Sequence, residues 1–500
     1  MEPMNDGACV SFHFNDIPEY LKSSDVYCGL DPNDEEEITM LGKYYKPNVK
    51  VSSSEDLEHL MTTLTFWGTA SLPKELVNTF LGGDDGKVAA LASDQICKKW
   101  KSVAVLVQLH QATRERRVRL ALENGCLAVV RTLLDLGYEW NVEACCSAAK
   151  SGSIECLVFA REQGAVFGRA AMVAAIQEGH LNIVKYCLNN DICMEVNFTI
   201  LAAECGHLHI LQYFHSRKCV WLHEVCAAAA KHNQLECLQF ARASGCPWDE
   251  ETPANAAAGG HIVVLQYLHS AGCYWNEETC LAAAMYGHLD CFQYAHENDC
   301  RWGEKTLIAA AVGGHHDIVT YAMKQQNCPL SASVCCLAAR NGQLAVLKLL
   351  HERGCPWDGR TCDEAAAIGH LETLRYAHEH GCQWYPSVCK IATVGNHVDC
   401  LQYAHEHGCG WDEFTCTTAA SNGSLECLKY AHSQGCAWSL STCVAAAENG
   451  HLPCLMYARE QGCAWQQQEL FRAAMRSGDV ACIQYVKNLG LGEKQTCTVS

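Results

Sequence analysis

Tryptophans recur along this chain at a fixed interval of 27 residues. Trp221, Trp248, Trp275 and Trp302 follow one another at that spacing, and so do Trp357, Trp384, Trp411, Trp438 and Trp465. The interval from Trp302 to Trp357 is 55 residues, or 27 plus 28, and Leu330 occupies the skipped place. Counting back by 27 from Trp221 reaches Met194, Phe167 and Trp140, so thirteen positions share one register. A period of this length defines a solenoid, in which each unit is too small to bury its apolar face alone and must stack on its neighbours. Such an array lengthens without a central core, so 500 residues need not mean several domains.

One unit, TPANAAAGGHIVVLQYLHSAGCYW from Thr252 to Trp275, reads as two helices. Thr252 is placed to cap the first, with Pro253 in the first turn, where a missing N–H does no harm. Ala256, Ala257 and Ala258 keep that helix thin, so that neighbouring units can approach closely. Gly259 and Gly260 turn the chain. Val264, Tyr267 and Leu268 then form an apolar stripe at helical spacing, and Gly272 ends the second helix. The expected fold class is all-α: a helical solenoid of stacked helix-turn-helix units with a small, mainly helical N-terminal module.

These residues resemble the ankyrin-repeat family. The family pattern is carried by Thr252, Pro253, Ala256, Ala257, Gly260, His261, Val264 and Gly272, and the likeness covers residues 112–492. The resemblance implies a non-enzymatic protein-binding array. The departure is a unit of 27 residues where the family has about 33. The shortfall lies between the second helix and the next first helix, where the family projects a β-hairpin, so a tight turn is expected there.

Thirty-five cysteines would indicate disulfides in a small secreted protein. Here they fall in columns. One lies two residues before the register position in ten consecutive units: Cys219, Cys246, Cys273, Cys300, Cys328, Cys355, Cys382, Cys409, Cys436 and Cys463. Another lies five after it, including Cys226, Cys280, Cys335, Cys362, Cys389, Cys416 and Cys443. A metal or redox ladder, helped by His288, His296, His370 and His378, is one reading. Packing is preferred, because buried cysteine acts as a small hydrophobe and the chain has no CxxC pair. No metal or cofactor is expected. The histidines after the turn glycine (His180, His207, His261, His288, His370 and His451) are expected to bond neighbouring backbone, and the Trp column to anchor the core.

No phosphate-cradling glycine loop, HExxH or GxSxG is present, so no enzyme is expected. The opening MEPMNDGACV has no basic n-region followed by an apolar run, and no apolar stretch reaches membrane-spanning length. Neither signal peptide nor transmembrane helix is expected, and a cytoplasmic or nuclear location with reduced thiols follows. The net charge of −19 argues against nucleic acid, whose phosphates need a Lys/Arg footprint, and favours basic partners.

Residues 1–64 form an acidic region expected to be partly disordered or part of a BTB/POZ-like fold. Residues 65–111 form a helical module. Within it, Leu72, Pro73, Glu75, Leu76, Leu81, Val88, Leu91, Cys97, Lys98, Lys99 and Trp100 resemble an F-box, interrupted by a central GGDDG. An acidic loop before "EDLEHLMTTLTFW" alternatively resembles the later part of a BTB/POZ fold, and a plain helical cap is the third reading. The F-box resemblance implies docking on a cullin-ligase linker subunit through Leu72, Pro73, Leu76 and Leu81. Lys98, Lys99, Lys101, Arg114, Arg116, Arg117 and Arg119 read better as a solvated face than as an import or nucleic-acid signal.

The function expected is a recognition scaffold, with two readings: a substrate adaptor of a cullin-type ubiquitin ligase, or a passive tether. A thiol-rich metal buffer is the remote alternative. Recognition is expected at the turns after the Trp column, where the residues vary between units. These are Asp249, Glu250, Glu251, Asn276, Glu277, Glu278, Asp358, Arg360, Asp412, Glu413 and Phe414. Their acids favour a protein target with a basic segment. Residues 493–500 form a flexible tail whose last four, Cys497-Thr498-Val499-Ser500, fit a prenylation signal on Cys497. One prenyl chain would give only weak membrane association.

Overall fold

The computed structural model describes residues 54, 57, 60, 61, 72, 74–82, 101–139, 143–190 and 192–496. Among them every regular element is a helix, and none is long and apolar enough to cross a membrane. The chain divides into two compact units, 1–229 with 236–247, and 230–235 with 248–500.

In the first unit, Lys74–Gly82 packs on Lys101–His110 and Leu127–Asp135. Helix pairs then follow one another, from Arg114–Glu123 with Leu127–Asp135 to Val196–Glu204 with Leu208–Ser216. The second unit holds nine pairs, beginning with Glu251–Ala258 and Ile262–Ser270 and ending with Gln467–Ser477 and Val480–Thr496. Within it first helices pack on first helices and second helices on second helices, giving two rows. Each pair joins the next through a tight turn, and no strand occurs among the described residues.

Alanine permits the close stacking. Ala256 and Ala257, Ala283 and Ala284, Ala310 and Ala311, Ala365 and Ala366, and Ala446 and Ala447 are fully buried where first helices meet. A larger side chain there would have to force the row apart, at about 1–3 kcal/mol. Second helices contribute the bulk of the apolar volume. Val264, Leu265 and Leu268 are completely buried, whereas Tyr267 of the expected stripe is only half-buried.

Thr252 does not cap its helix. Its side chain is fully buried, and Asp249 Oδ1 instead accepts the Glu251 backbone N–H at 3.1 Å. Pro253 does sit in the first turn, where its lack of a donor costs nothing.

Of the six turn histidines, His180, His207, His261 and His288 bond backbone as expected, no such bond is seen from His370 or His451, and the partner explains the preceding glycine. His288 Nε2 shares a hydrogen bond of 3.0 Å with Ala258 O, the last carbonyl of the preceding first helix. His180, His207, His261 and His315 repeat the arrangement thirty residues back, to Lys150, Gln177, Lys231 and Met285. The imidazole lies against the turn glycine of the preceding unit. A Cβ on Gly260 would stand 2.5 Å from His288 Nδ1, and the residue has φ of +73°.

Between Trp302 and Trp357 one unit lacks histidine, tryptophan and tyrosine together: the stretch around Leu330 has Met323, Leu330 and Leu349 in their places. Its turn carries Gln343, whose Nε2 donates to Val312 O at 3.1 Å and so preserves the latch without the ring.

Gly272 shares the left-handed backbone of Gly260, with φ of +74°, but a Cβ there would meet nothing within 4 Å. Gly272→Ala should therefore cost only the backbone term of about 1–2 kcal/mol. Gly260→Ala should cost distinctly more, because it also displaces His288. The urea midpoint of helix loss measures both.

Candidate recognition surface

The predicted turn residues divide into two groups. Asn276, Asp358 and Asp412 are helix caps, and Asp249, one residue before the cap of its helix, makes the same bond. Each side chain accepts the backbone N–H two residues on, at 3.1, 3.0, 3.1 and 3.0 Å respectively. Such a bond satisfies one of the orphan donors at a helix start and is worth about 1 kcal/mol. Asp358 also pairs with Arg360, Oδ2 to Nη2 at 2.9 Å, and that guanidinium holds its carboxyl below the usual range. Glu250, Glu251, Glu277, Glu278, Glu413 and Phe414 project into solvent, as does Arg360.

The structure adds residues that sequence reasoning missed. Met285 and Tyr286, at the far end of the first helix, are 51% and 58% exposed. Glu278 and Met285 are seven residues apart on one helix and therefore share a face. Ile368 and Val394 occupy equivalent ends in later units and are also exposed. The exposed face thus carries acid at the helix start and apolar side chains at its end. The signal was present in the sequence, since these positions change from unit to unit while the alanines between them recur in most units.

Asp363 lies on a first helix too. Burial pushes its carboxyl up from 3.8 to about 6, against hydrogen bonds donated by Ser387 Oγ at 3.3 Å. Glu364 and Asp358 add to the rise.

The Trp column is not a buried core anchor. Its described rings are half-buried, and those of Trp275, Trp357, Trp384, Trp411 and Trp438 lie between a histidine of their own unit and a tyrosine of the next. Trp384 stacks on His378 at 3.8 Å with planes 3° apart, and meets the edge of Tyr403 at 6.1 Å. His378 Nδ1 shares a hydrogen bond with Tyr403 OH at 3.1 Å. Burial, and then His407, hold the His378 imidazole below its ordinary pKa. The same arrangement recurs at His269, His351, His405 and His432, each stacked on the tryptophan six residues later. The sequence links successive units through tryptophan, and the contact does so, but along the surface. His296 meets Trp302 edge-on, so both it and His378, the two second-helix histidines of the metal reading, belong to this aromatic ladder.

The N-terminal docking residues are placed differently from expectation. Leu72 and Leu76 are 6% and 1% exposed, and Leu72 exchanges backbone hydrogen bonds with Thr132 Oγ1 at 3.0 and 2.9 Å. Their apolar surface is already covered by this chain, and Leu81 is half-buried. Pro73, residues 1–53 and Cys497 lie outside the described residues. In the basic stretch, Arg117 Nη1 donates to Tyr138 OH, Arg119 pairs with Glu123, and Arg114 lies over the Tyr138 ring.

Two rows of stacked helix pairs joined by tight turns define a helical-repeat scaffold. The family model for ankyrin repeats, in three copies, matches residues 280–361. The matched family is a repeat family, not a catalytic one. No comparison supports the F-box-like or BTB/POZ-like reading or a place in a cullin ligase, and no curated protein matches the chain.

Similar solved structures are of the pentatricopeptide repeat protein PPR10. Two are in complex with an 18-nt psaJ RNA element, one of them with three cysteines changed to serine. Each is 14% identical over 83% of this chain and 67% of the other, with TM-score 0.33. The third, PPR10 from maize, is 13% identical over 87% and 82%, with TM-score 0.24. These findings correct one expectation: nucleic acid is not excluded for stacked helix pairs. Net charge sums the whole surface, whereas recognition is local.

The folded chain binds a proton at Asp363 between about pH 4 and pH 6, where the unfolded chain has released it. The associated stability is present below about pH 4 and is lost as pH rises through about 6. Asp363→Asn should therefore raise the urea midpoint at pH 7, and the gain should disappear at pH 4.

Proposed function

We propose that the array is a non-enzymatic scaffold that binds a protein segment along the exposed face of its first helices, in a cytoplasmic or nuclear setting. The observation carrying this reading is the pairing, on one face, of exposed acids at Glu250, Glu251, Glu277 and Glu278 with exposed Met285 and Tyr286. Buried alanines, caps and latches repeat from unit to unit. The exposed positions do not, and variable residues on a rigid frame are where specificity resides. The partner that fits is a basic segment with apolar side chains beside its charges, giving salt-sensitive association. Asp249 and the cap Asn276 bond the helix starts and belong to the frame, and their loss would harm the helices first.

The test combines affinity capture with charge reversal. Glu250, Glu251, Glu277 and Glu278 changed together to Lys should weaken binding of the captured partner at least tenfold, about 1.4 kcal/mol, with helicity unchanged. Met285→Ala with Tyr286→Ala should weaken it independently of salt. Affinity unaltered by either variant would place the site elsewhere.

A further inference from the structure

The two cysteine columns meet. In seven units a cysteine five residues after the register position is followed by another twenty residues later, across one helix pair, and where the contact is shown the earlier thiol donates to the later cysteine's backbone carbonyl: Cys280 to Cys300 O at 3.9 Å, Cys389 to Cys409 O at 3.6 Å and Cys416 to Cys436 O at 3.9 Å. The pairs are Cys226 and Cys246, Cys280 and Cys300, Cys335 and Cys355, Cys362 and Cys382, Cys389 and Cys409, Cys416 and Cys436, and Cys443 and Cys463. The earlier member is fully buried in every pair, whereas the later members from Cys300 onward are 1–5% exposed and form the outer edge.

Packing alone does not require the pairing. Where the later cysteine is Cys328, the partner's place holds Leu307, and beside Cys219 it holds Thr199. Those units form the same helix pair with one thiol. The later thiol has a structural duty, donating to the carbonyl 24 residues back near the start of its unit's first helix. That bond is 3.0 Å from Cys300 to Asn276 O and 3.2 Å from Cys382 to Asp358 O. It is 3.7 Å from Cys409 to Tyr385 O, so Cys409 holds its proton least firmly. The neighbouring Cys389 also brings the Cys409 thiol down to about 7, against burial.

We propose that these pairs are peroxide-oxidisable dithiols, each closing one disulfide within its own unit, with Cys389 and Cys409 reacting first. Hydrogen peroxide is the oxidant, small enough to reach the outer thiol. The Cys409 thiolate attacks one peroxide oxygen, the O–O bond breaks, and the departing hydroxide takes up the proton that Cys409 released. The Cys409 sulfenic acid is then attacked by the Cys389 sulfur, which loses its proton as the hydroxyl leaves as water. Two thiols and one peroxide give one disulfide and two waters, sulfur being oxidised and peroxide oxygen reduced. Each closed pair would fasten the start of a first helix to the end of its second.

The experiment treats the reduced full chain with hydrogen peroxide, blocks remaining thiols with N-ethylmaleimide and maps unreduced peptides. Linked peptides should join cysteines twenty apart, Cys389 with Cys409 at the earliest time, while Cys219 and Cys328 take the maleimide. Reductant should reverse the links, and the melting temperature should be higher before reversal than after. Cys409→Ser should abolish that first link and leave the other six. Blocking of both members of every pair overturns the proposal, as does sulfinic acid without links or linkage that ignores the interval of twenty.

Discussion

The array depends on how near one first helix can come to the next. Helices carrying leucine at the contact would stand about 10 Å apart, whereas alanine allows about 8 Å. That difference brings the turn histidine of one unit over the glycine of the unit before, close enough for His288 to reach Ala258 O. The latch, the glycine and the alanines therefore form one geometrical statement repeated along the chain. None of the three has its present use without the other two.

Much of this was legible because a period is visible without any contact being known. The interval of 27 gave the helix pair, the glycine turns and the alanine stripe at once. The role of each side chain was harder to read. A residue's spacing says which neighbours it shares a helix with, but not whether its ring lies in the core or along the surface. Trp384 illustrates this: its size suggested burial, yet its place is on His378 at the edge of the stack. Thr252 likewise had the chemistry of a cap, but Asp249, three residues earlier, stands where the helix begins. The thiol pairs escaped notice for a related reason, since twenty residues is neither a helical nor a register interval and only folding brings the two columns together.

Leu72 and Leu76 show the limit of short signatures. An opening Leu-Pro-x-Glu-Leu reads as a docking edge, yet Thr132 and the neighbouring helices already enclose both leucines. The net charge misled in a different way, because it averages over a surface whose interactions are made one patch at a time. Acids cluster at Glu250 to Glu278, whereas arginines gather between 114 and 119, where several are engaged with Tyr138 and Glu123.

The unit around Leu330 interrupts the aromatic ladder with Met323, Leu330 and Leu349 while keeping the glutamine latch. In a linear array, stability is a sum of unit terms and nearest-neighbour couplings, so a weaker coupling is where cooperativity divides. Under a pulling force, the units from Ala332 onward would let go as one block and those before it as another. The chain then extends in steps of several units, and the aliphatic seam fixes where the first step ends.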